Sequence, residues 1–279
     1  MREGTPSDCG HSKIKPLDDL TLMDDYMFGV VMSDPDNLKP LIERILGIRI
    51  RTVEFIEAQK SEKEGYASRG VRLDLYVVDD SGRIFNVEVQ ASSKKNLPKR
   101  MRYYQSVIDV NVLSPGVNYC DLRRSAVIFI CNYDPFGDGR CVYSFENRCV
   151  EDLSLAFGDE SLKVVANTKG EVEGVDGELA ELIRYLDGGE PTGDYTRQLE
   201  DAVARVKASE ERRHEYMVTM IRDMEIREEG VEQGIAQGVE RERLESIKNV
   251  MKSLGVDAGE AMRILGIPDS DRKYYLDML

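Results

Sequence analysis

The stretch that most constrains this chain is a hairpin. Gly70-Val71-Arg72-Leu73-Asp74-Leu75-Tyr76-Val77-Val78 alternates apolar and polar positions, and so does Arg83-Ile84-Phe85-Asn86-Val87-Glu88-Val89-Gln90. Period-two alternation marks half-buried strands, and the intervening Asp79-Asp80-Ser81-Gly82 is turn chemistry. A three-residue loop with Gly82 at positive φ sets residue 79 opposite 83, so paired numbers sum to 162. One face then carries Val77 with Phe85, Leu75 with Val87 and Leu73 with Val89, all apolar. The other carries Tyr76 with Asn86, Asp74 with Glu88 and Arg72 with Gln90. The register that buries the apolar residues therefore places two carboxylates side by side. Like charges directly opposite destabilise a sheet unless a proton or a cation lies between them.

Composition narrows the chemistry. A hydrophobic fraction of 41% in 279 residues is enough for a real core. No apolar run approaches the ~20 residues that span a bilayer, and no apolar signal-peptide core is present, so the expected location is cytoplasmic. Five cysteines (Cys9, Cys120, Cys131, Cys141, Cys149) lack CxxC spacing and read as structural thiols. The two histidines, His11 and His214, are far apart, which argues against a His-based triad or a His-rich metal site. A metal here would be held by carboxylates, which suits Mg²⁺ or Mn²⁺.

The net charge of −14 is unevenly spread. Residues 1–115 hold 17 Lys/Arg against 18 Asp/Glu, leaving 21 against 34 for the remainder. The acidity thus belongs to the C-terminal part. Lys94, Lys95, Lys99, Arg100 and Arg102 form a basic cluster just after the hairpin. Such a local patch matters more for polyanion binding than the total charge.

In chain order, residues 1–18 read as a flexible arm. Helices are expected over Leu20–Met32 and Asp36–Leu46, the second stopped by Gly47, and a strand over Ile48–Ala58. Leu97, Met101, Tyr104, Ile108 and Val112 predict a helix over Asn96–Val112. Ala126-Val127-Ile128-Phe129-Ile130-Cys131 reads as a fully buried strand. Further strands are expected within Cys141–Cys149 and Leu162–Asn167, and a short helix over Glu178–Leu186. This order predicts an α/β fold, a mixed central sheet flanked by helices. The expected organisation is a core over 19–170, a linker with a short helix over 171–194, and a charged helical tail over 195–279. That tail contains Gly230, Gly234 and Gly238 at spacing four, and ends in a small helix-turn-helix-like bundle. With little basic charge, the tail suits packing or self-association through the C-terminal helices better than DNA reading.

Gln90 lies two residues after Glu88, on the same face. Asp74, Glu88 and the carbonyl of Val89 form an oxygen-donor set suited to Mg²⁺. The ordinary alternative is a solvated sheet face that happens to hold an Asp and a Glu.

The ordered combination resembles the PD-(D/E)xK nuclease superfamily, and in particular its branch of recombination-promoting nucleases, the PD-(D/E)xK nuclease family transposases. The resemblance rests on Asp24-Asp25-Tyr26-Met27-Phe28, on Asp74, on Glu88-Val89-Gln90, on Arg100-Met101-Arg102-Tyr103-Tyr104-Gln105 and on Gly116-Val117-Asn118-Tyr119. The Glu-Gly repeat and the C-terminal helices fit too. The resemblance implies a restriction-endonuclease-like core and metal-dependent endonucleolytic cleavage of DNA. It implies that Asp74 and Glu88 ligate Mg²⁺, and that an acid of the first helix joins them; Asp25 is the candidate, with Glu43 the other. Tyr104 and Gln105 would assist or contact phosphate, and the cluster from Lys94 to Arg102 would approach the DNA backbone. Tyr104 also fits a plain core position. Gln90 stands where the superfamily has lysine. Glutamine can orient a water but carries no charge and takes up no proton. The alternative is therefore a catalytically inactive DNA-binding or assembly protein that keeps the fold.

Overall fold

A computed structural model of the chain describes residues 14–56, 75–91, 96–113, 116 and 118–279. They divide into two compact units, one up to Arg213 and one from His214 to Leu279.

The first unit is built on a mixed six-stranded sheet. Its strands are β1 (Val53–Phe55), β2 (Leu75–Asp79), β3 (Ile84–Gln90), β4 (Ser125–Cys131), β5 (Val142–Phe145) and β6 (Ser161–Asn167), in the order β1-β2-β3-β4-β6-β5. β1, β2 and β3 are antiparallel neighbours, β3, β4 and β6 run parallel, and β5 pairs antiparallel with β6. The helices are α1 (Asp25–Met32), α2 (Pro35–Leu46), α3 (Leu97–Val112), α4 (Gly177–Leu186) and α5 (Asp194–Ala208). α3 is the crossover that joining parallel β3 and β4 requires. All seven residues of β4 are buried, as expected for an apolar run covered on both faces. This is the restriction-endonuclease-like α/β architecture.

Even-numbered residues of β3 face α3. Ile84, Tyr76, Val127, Phe129 and Cys131 form one cluster with Leu97, Met101, Tyr104 and Ile108 of α3. Phe85, Val87 and Val89 point the other way and are equally buried. α1 packs against β3 and α2 against β1, and α4 and α5 pack onto those helices.

Local chemistry sets the element ends. The Asp34 carboxylate caps α2 through the N–H of Asp36 (2.9 Å), Pro35 occupies the first turn, and Gly47 ends the helix at φ 63°. Before α1, the Asp24 side chain accepts from Thr21 N and Oγ1 and pairs with Lys15, holding Thr21–Asp24 as a turn; the helix starts at Asp25 rather than Leu20. The expected strand over Ile48–Ala58 shortens to Val53–Phe55. Its earlier N–H groups bond to side chains instead, Ile50 to Glu43 and Arg51 to Asp80; Ala58 lies outside the described residues.

α5 differs from its expected place at the start of the tail. Leu199 and Val203 are buried, the Tyr195 hydroxyl donates to Asn37 O (2.5 Å), and Arg44 stacks over the Tyr195 ring. These contacts fold α5 into the first unit, so the division falls after Arg213. At the other end, Leu17 is buried and Arg213 pairs with Asp18, so residues 14–18 are seated on the core; 1–13 lie outside the described residues.

α6 (Glu210–Leu254) leads into α7 (Ala258–Ile264) and α8 (Asp269–Asp277). Ile247, Ala261, Met262, Ile267 and Tyr275 form the core of this small bundle. Gly230, Gly234 and Gly238 are exposed in an unbroken helix, and beyond the local helix backbone no described atom lies within 4 Å of where a Cβ would be. Among the described residues, Cys120, Cys131, Cys141 and Cys149 are free thiols, and no helix is long and apolar enough to cross a membrane.

Candidate active site

The hairpin register is Val78↔Ile84, Val77↔Phe85, Tyr76↔Asn86 and Leu75↔Val87, each pair summing to 162. Gly82 sits at φ 83° and its N–H bonds Asp79 O at 2.9 Å. The Asp79 carboxylate accepts from Ser81 N (3.0 Å), Ser81 Oγ (2.8 Å), Arg83 N (2.8 Å) and Arg83 Nε (2.6 Å). Burial alone would raise its pKa; these donors outweigh burial and hold it below the usual carboxylate value. The turn is thereby locked, and with it the face on which each β3 side chain lies. Asp74, Lys94 and Lys95 lie outside the described residues.

The polar face of β3 is not a solvated one. Asn86, Glu88 and Gln90 are 0%, 3% and 5% exposed, beneath α3. Burying a carboxylate demands donors or a cation. Asn86 Nδ2 donates to Glu88 Oε1 (2.9 Å) and to Leu75 O (3.3 Å). Both partners are acceptors, so the amide orientation is set: its NH₂ faces Glu88. Asn86 Oδ1 finds no hydrogen-bond partner among the described residues.

Arg100 closes the far end of this stripe. Its Nη1 donates to Gln90 Oε1 and its Nη2 to the Tyr104 hydroxyl at 3.2 Å. The guanidinium lies 5.1 Å from the centroid of Phe129 and 5.7 Å from that of Tyr104. Tyr104 occupies the core position considered for it, and its hydroxyl also accepts from Arg100. Its ring packs in the core against Phe129 (centroids 5.6 Å apart), and its hydroxyl reaches the polar stripe. Cys131 pairs with Gln90 in register, but burial pushes its thiol up to about 12, so it stays protonated and is no nucleophile.

The other expected site residues are placed as follows. Gln105 Nε2 donates to Ser125 Oγ (2.7 Å) and Asp109 Oδ1 (3.0 Å). Ser125 is in register with Ile84, four rungs from the Glu88–Phe129 pair, or about 13 Å at ~3.3 Å per residue. Gln105 therefore ties α3 to β4 at the end of the sheet away from Glu88. Glu43 is buried and accepts from Ile50 N (2.7 Å) and Lys39 Nζ (3.1 Å); burial alone would raise its pKa, but these bonds leave it lowered. It closes the turn after α2. Asp25 is exposed at the first position of α1. Lys99 and Arg102 are exposed on α3 and available to an outside partner. Ile84 N bonds Arg124 O (2.9 Å) and Gln90 O accepts from Asn132 N (3.5 Å), so even-numbered backbone groups of β3 face β4. The Val89 carbonyl consequently turns to the β2 side.

Two contributions escape a reading of the sequence. Asn86 is on the polar face two residues before Glu88, a spacing that could have marked it as a partner. Arg100 precedes Tyr104 by four, which puts it on the inward stripe of α3 rather than with exposed Lys99 and Arg102.

Among the described residues, no three His, Cys, Asp or Glu side chains gather as a metal-binding group. What β3 itself offers, a buried carboxylate and a backbone carbonyl, is the hard oxygen chemistry that Mg²⁺ takes.

Compared with known families, residues 22–148 match the model of the PD-(D/E)XK nuclease family transposase. Searches of curated proteins and of solved structures found no match. The matched stretch runs from α1 through β5 and includes Glu88, Gln90 and Arg100. The family is one of nucleases, generally dependent on divalent metals, and DNA is the substrate it implies.

Proposed function

We propose that this protein is a metal-dependent DNA endonuclease that hydrolyses phosphodiester bonds, with Mg²⁺ or Mn²⁺ as cofactor. The observation that carries the reading is the burial of Glu88 and Gln90 under α3, beside Arg100, within the family's domain. A buried carboxylate on the same strand face as a glutamine bonded to an arginine suits a site that handles a cation and a phosphate together.

In this reading Asp74, Glu88 and the Val89 carbonyl hold the ion. The described pairs sum to 162, and 74 with 88 continues that series. The ion, when bound, supplies charge stabilisation for the phosphate and acidifies water. Asn86 fixes Glu88 by donating to Oε1. Gln90 accepts from Arg100 through Oε1 and so positions that guanidinium beside the site. Asp25 is the candidate third acid, and Tyr104 holds Arg100 in place. Lys94, Lys95, Lys99 and Arg102 contact the DNA backbone, where they position without reading sequence. Ile221, Val231 and Ile235, exposed along α6, favour self-association through the C-terminal helices.

Plasmid nicking with Mg²⁺ or Mn²⁺ tests this. Wild type should cut, and Asp74→Ala and Glu88→Ala should not; equal behaviour of all three sinks the assignment. The neutral amide at Gln90 favours a second reading, a DNA-binding protein without catalysis. That reading predicts no Mn²⁺ binding in calorimetry that depends on Glu88. Light scattering on a chain ending at Arg213 tests self-association, which should be lost.

A further inference from the structure

We infer that Arg100 is the cation of the catalytic site, taking over the charge that Gln90 cannot carry. The inference rests on the nuclease reading and assigns the phosphate-stabilising group within it.

A phosphodiester in transit gains negative charge, and a neutral amide answers it with a dipole alone. Arg100 brings a permanent charge to the same spot. Its guanidinium is bonded to Gln90 Oε1 on one side and to the Tyr104 hydroxyl on the other. It also rests against the Phe129 ring, so its position is set before any ligand arrives. Two of its five donors are thereby used, and the side chain is only partly buried, which leaves its remaining donors for phosphate oxygens. Gln90 becomes a positioning residue. Its carbonyl oxygen anchors Arg100, and this turns its NH₂ away from the guanidinium. Arg100 thus acts apart from Lys99 and Arg102, whose side chains are exposed.

This division of labour makes a distinctive prediction about lysine at position 90. Gln90→Lys would remove the anchor and place a second cation against Arg100. It should therefore lower activity. In an Arg100→Met background the same lysine has room and supplies the missing charge.

The test is single-turnover DNA cleavage at saturating enzyme, alongside DNA affinity in EDTA and thermal melting. Arg100→Met should cut about 100-fold more slowly or worse, the scale of losing one preorganised charge donor, with near-normal DNA affinity. Gln90→Lys with Arg100→Met should recover at least about tenfold of that loss, one power of ten in rate per ~1.4 kcal/mol. Should Arg100→Met melt early, Arg100→Lys and Arg100→Gln replace it, the first retaining activity and the second not. Weakened affinity with an unchanged saturated rate would make Arg100 a DNA-holding residue and overturn the inference. So would undiminished cutting by Arg100→Met, or a double variant no better than the single. A wild type that cuts no DNA would overturn the nuclease reading, and this inference with it.

Discussion

Replacing Asn86 by aspartate tests whether the face around Glu88 is dry. In the folded chain Asn86 Nδ2 donates to Glu88 Oε1 at 2.9 Å, with both residues buried. Asn86→Asp changes one atom and turns a donor into a second carboxylate. If both groups ionise, charges about 4–5 Å apart at an effective dielectric of ~20 repel by about 4 kcal/mol. If the pair binds a proton instead, holding a carboxyl with a reference pKa of about 4 protonated at pH 7 costs about 4 kcal/mol. Either route loses the bond to Leu75 O, about 1 kcal/mol more. The expected destabilisation is thus about 5 kcal/mol at pH 7, against a typical total of about 5–15. The sign with pH follows. A carboxyl whose folded pKa is raised contributes its full stability when protonated and loses it as pH rises. At pH 5 the proton route costs only about 1.4 kcal/mol, so the deficit should shrink to about 2–3. Urea unfolding in EDTA, followed by tyrosine near-UV circular dichroism because the chain has no Trp, measures both values. A cost below about 1 kcal/mol and flat from pH 5 to 7 would mean a wet face and refute the reasoning.

Gln105→Leu should lose about 1–2 kcal/mol of stability through the Ser125 bond while leaving DNA affinity unchanged; a selective loss of affinity would return Gln105 to the DNA interface. Asp134 accepts from Phe136 N, Gly139 N and the Tyr143 hydroxyl, and although burial alone would raise its pKa these donors lower it to about 2. Asp134→Asn should therefore cost about 1 kcal/mol after solvent screening. That cost should be constant above about pH 4 and fade as pH falls toward 2, which urea midpoints across that range will read. Gly234→Ala should strengthen α6 by about 1 kcal/mol, seen as slower hydrogen exchange; disruption of an oligomer instead would show that the glycine stripe is a contact surface.

The hairpin was legible because its determinants are local. Alternation chooses the faces, and the Asp79–Gly82 turn chooses the register. α3 was equally plain from Leu97, Met101, Tyr104 and Ile108, and β4 from its unbroken apolar run. What lies on top of the polar face was not legible, because covering Glu88 with α3 is a long-range packing outcome. The register predicted Asn86, Glu88 and Gln90 on one side but could not say whether water or a helix met them. Arg100 shows the same limit at one residue. Composition groups it with Lys99 and Arg102, whereas its spacing from Tyr104 turns it inward onto Gln90. Gln105 shows the converse, a polar residue next to the site in sequence that serves the far end of the sheet. α5 looked like the start of a charged tail because its outer face is charged, yet Tyr195, Leu199 and Val203 bury the other face.

The most direct measurement is a crystal of the full chain soaked in Mn²⁺, examined by anomalous scattering. A peak is expected within coordination distance of the Glu88 carboxylate and the Val89 carbonyl, with Asp74 as the facing ligand and the Arg100–Gln90 contact alongside. An ordered Glu88 with no peak beside it, or a peak held by residues other than these, would contradict this expectation.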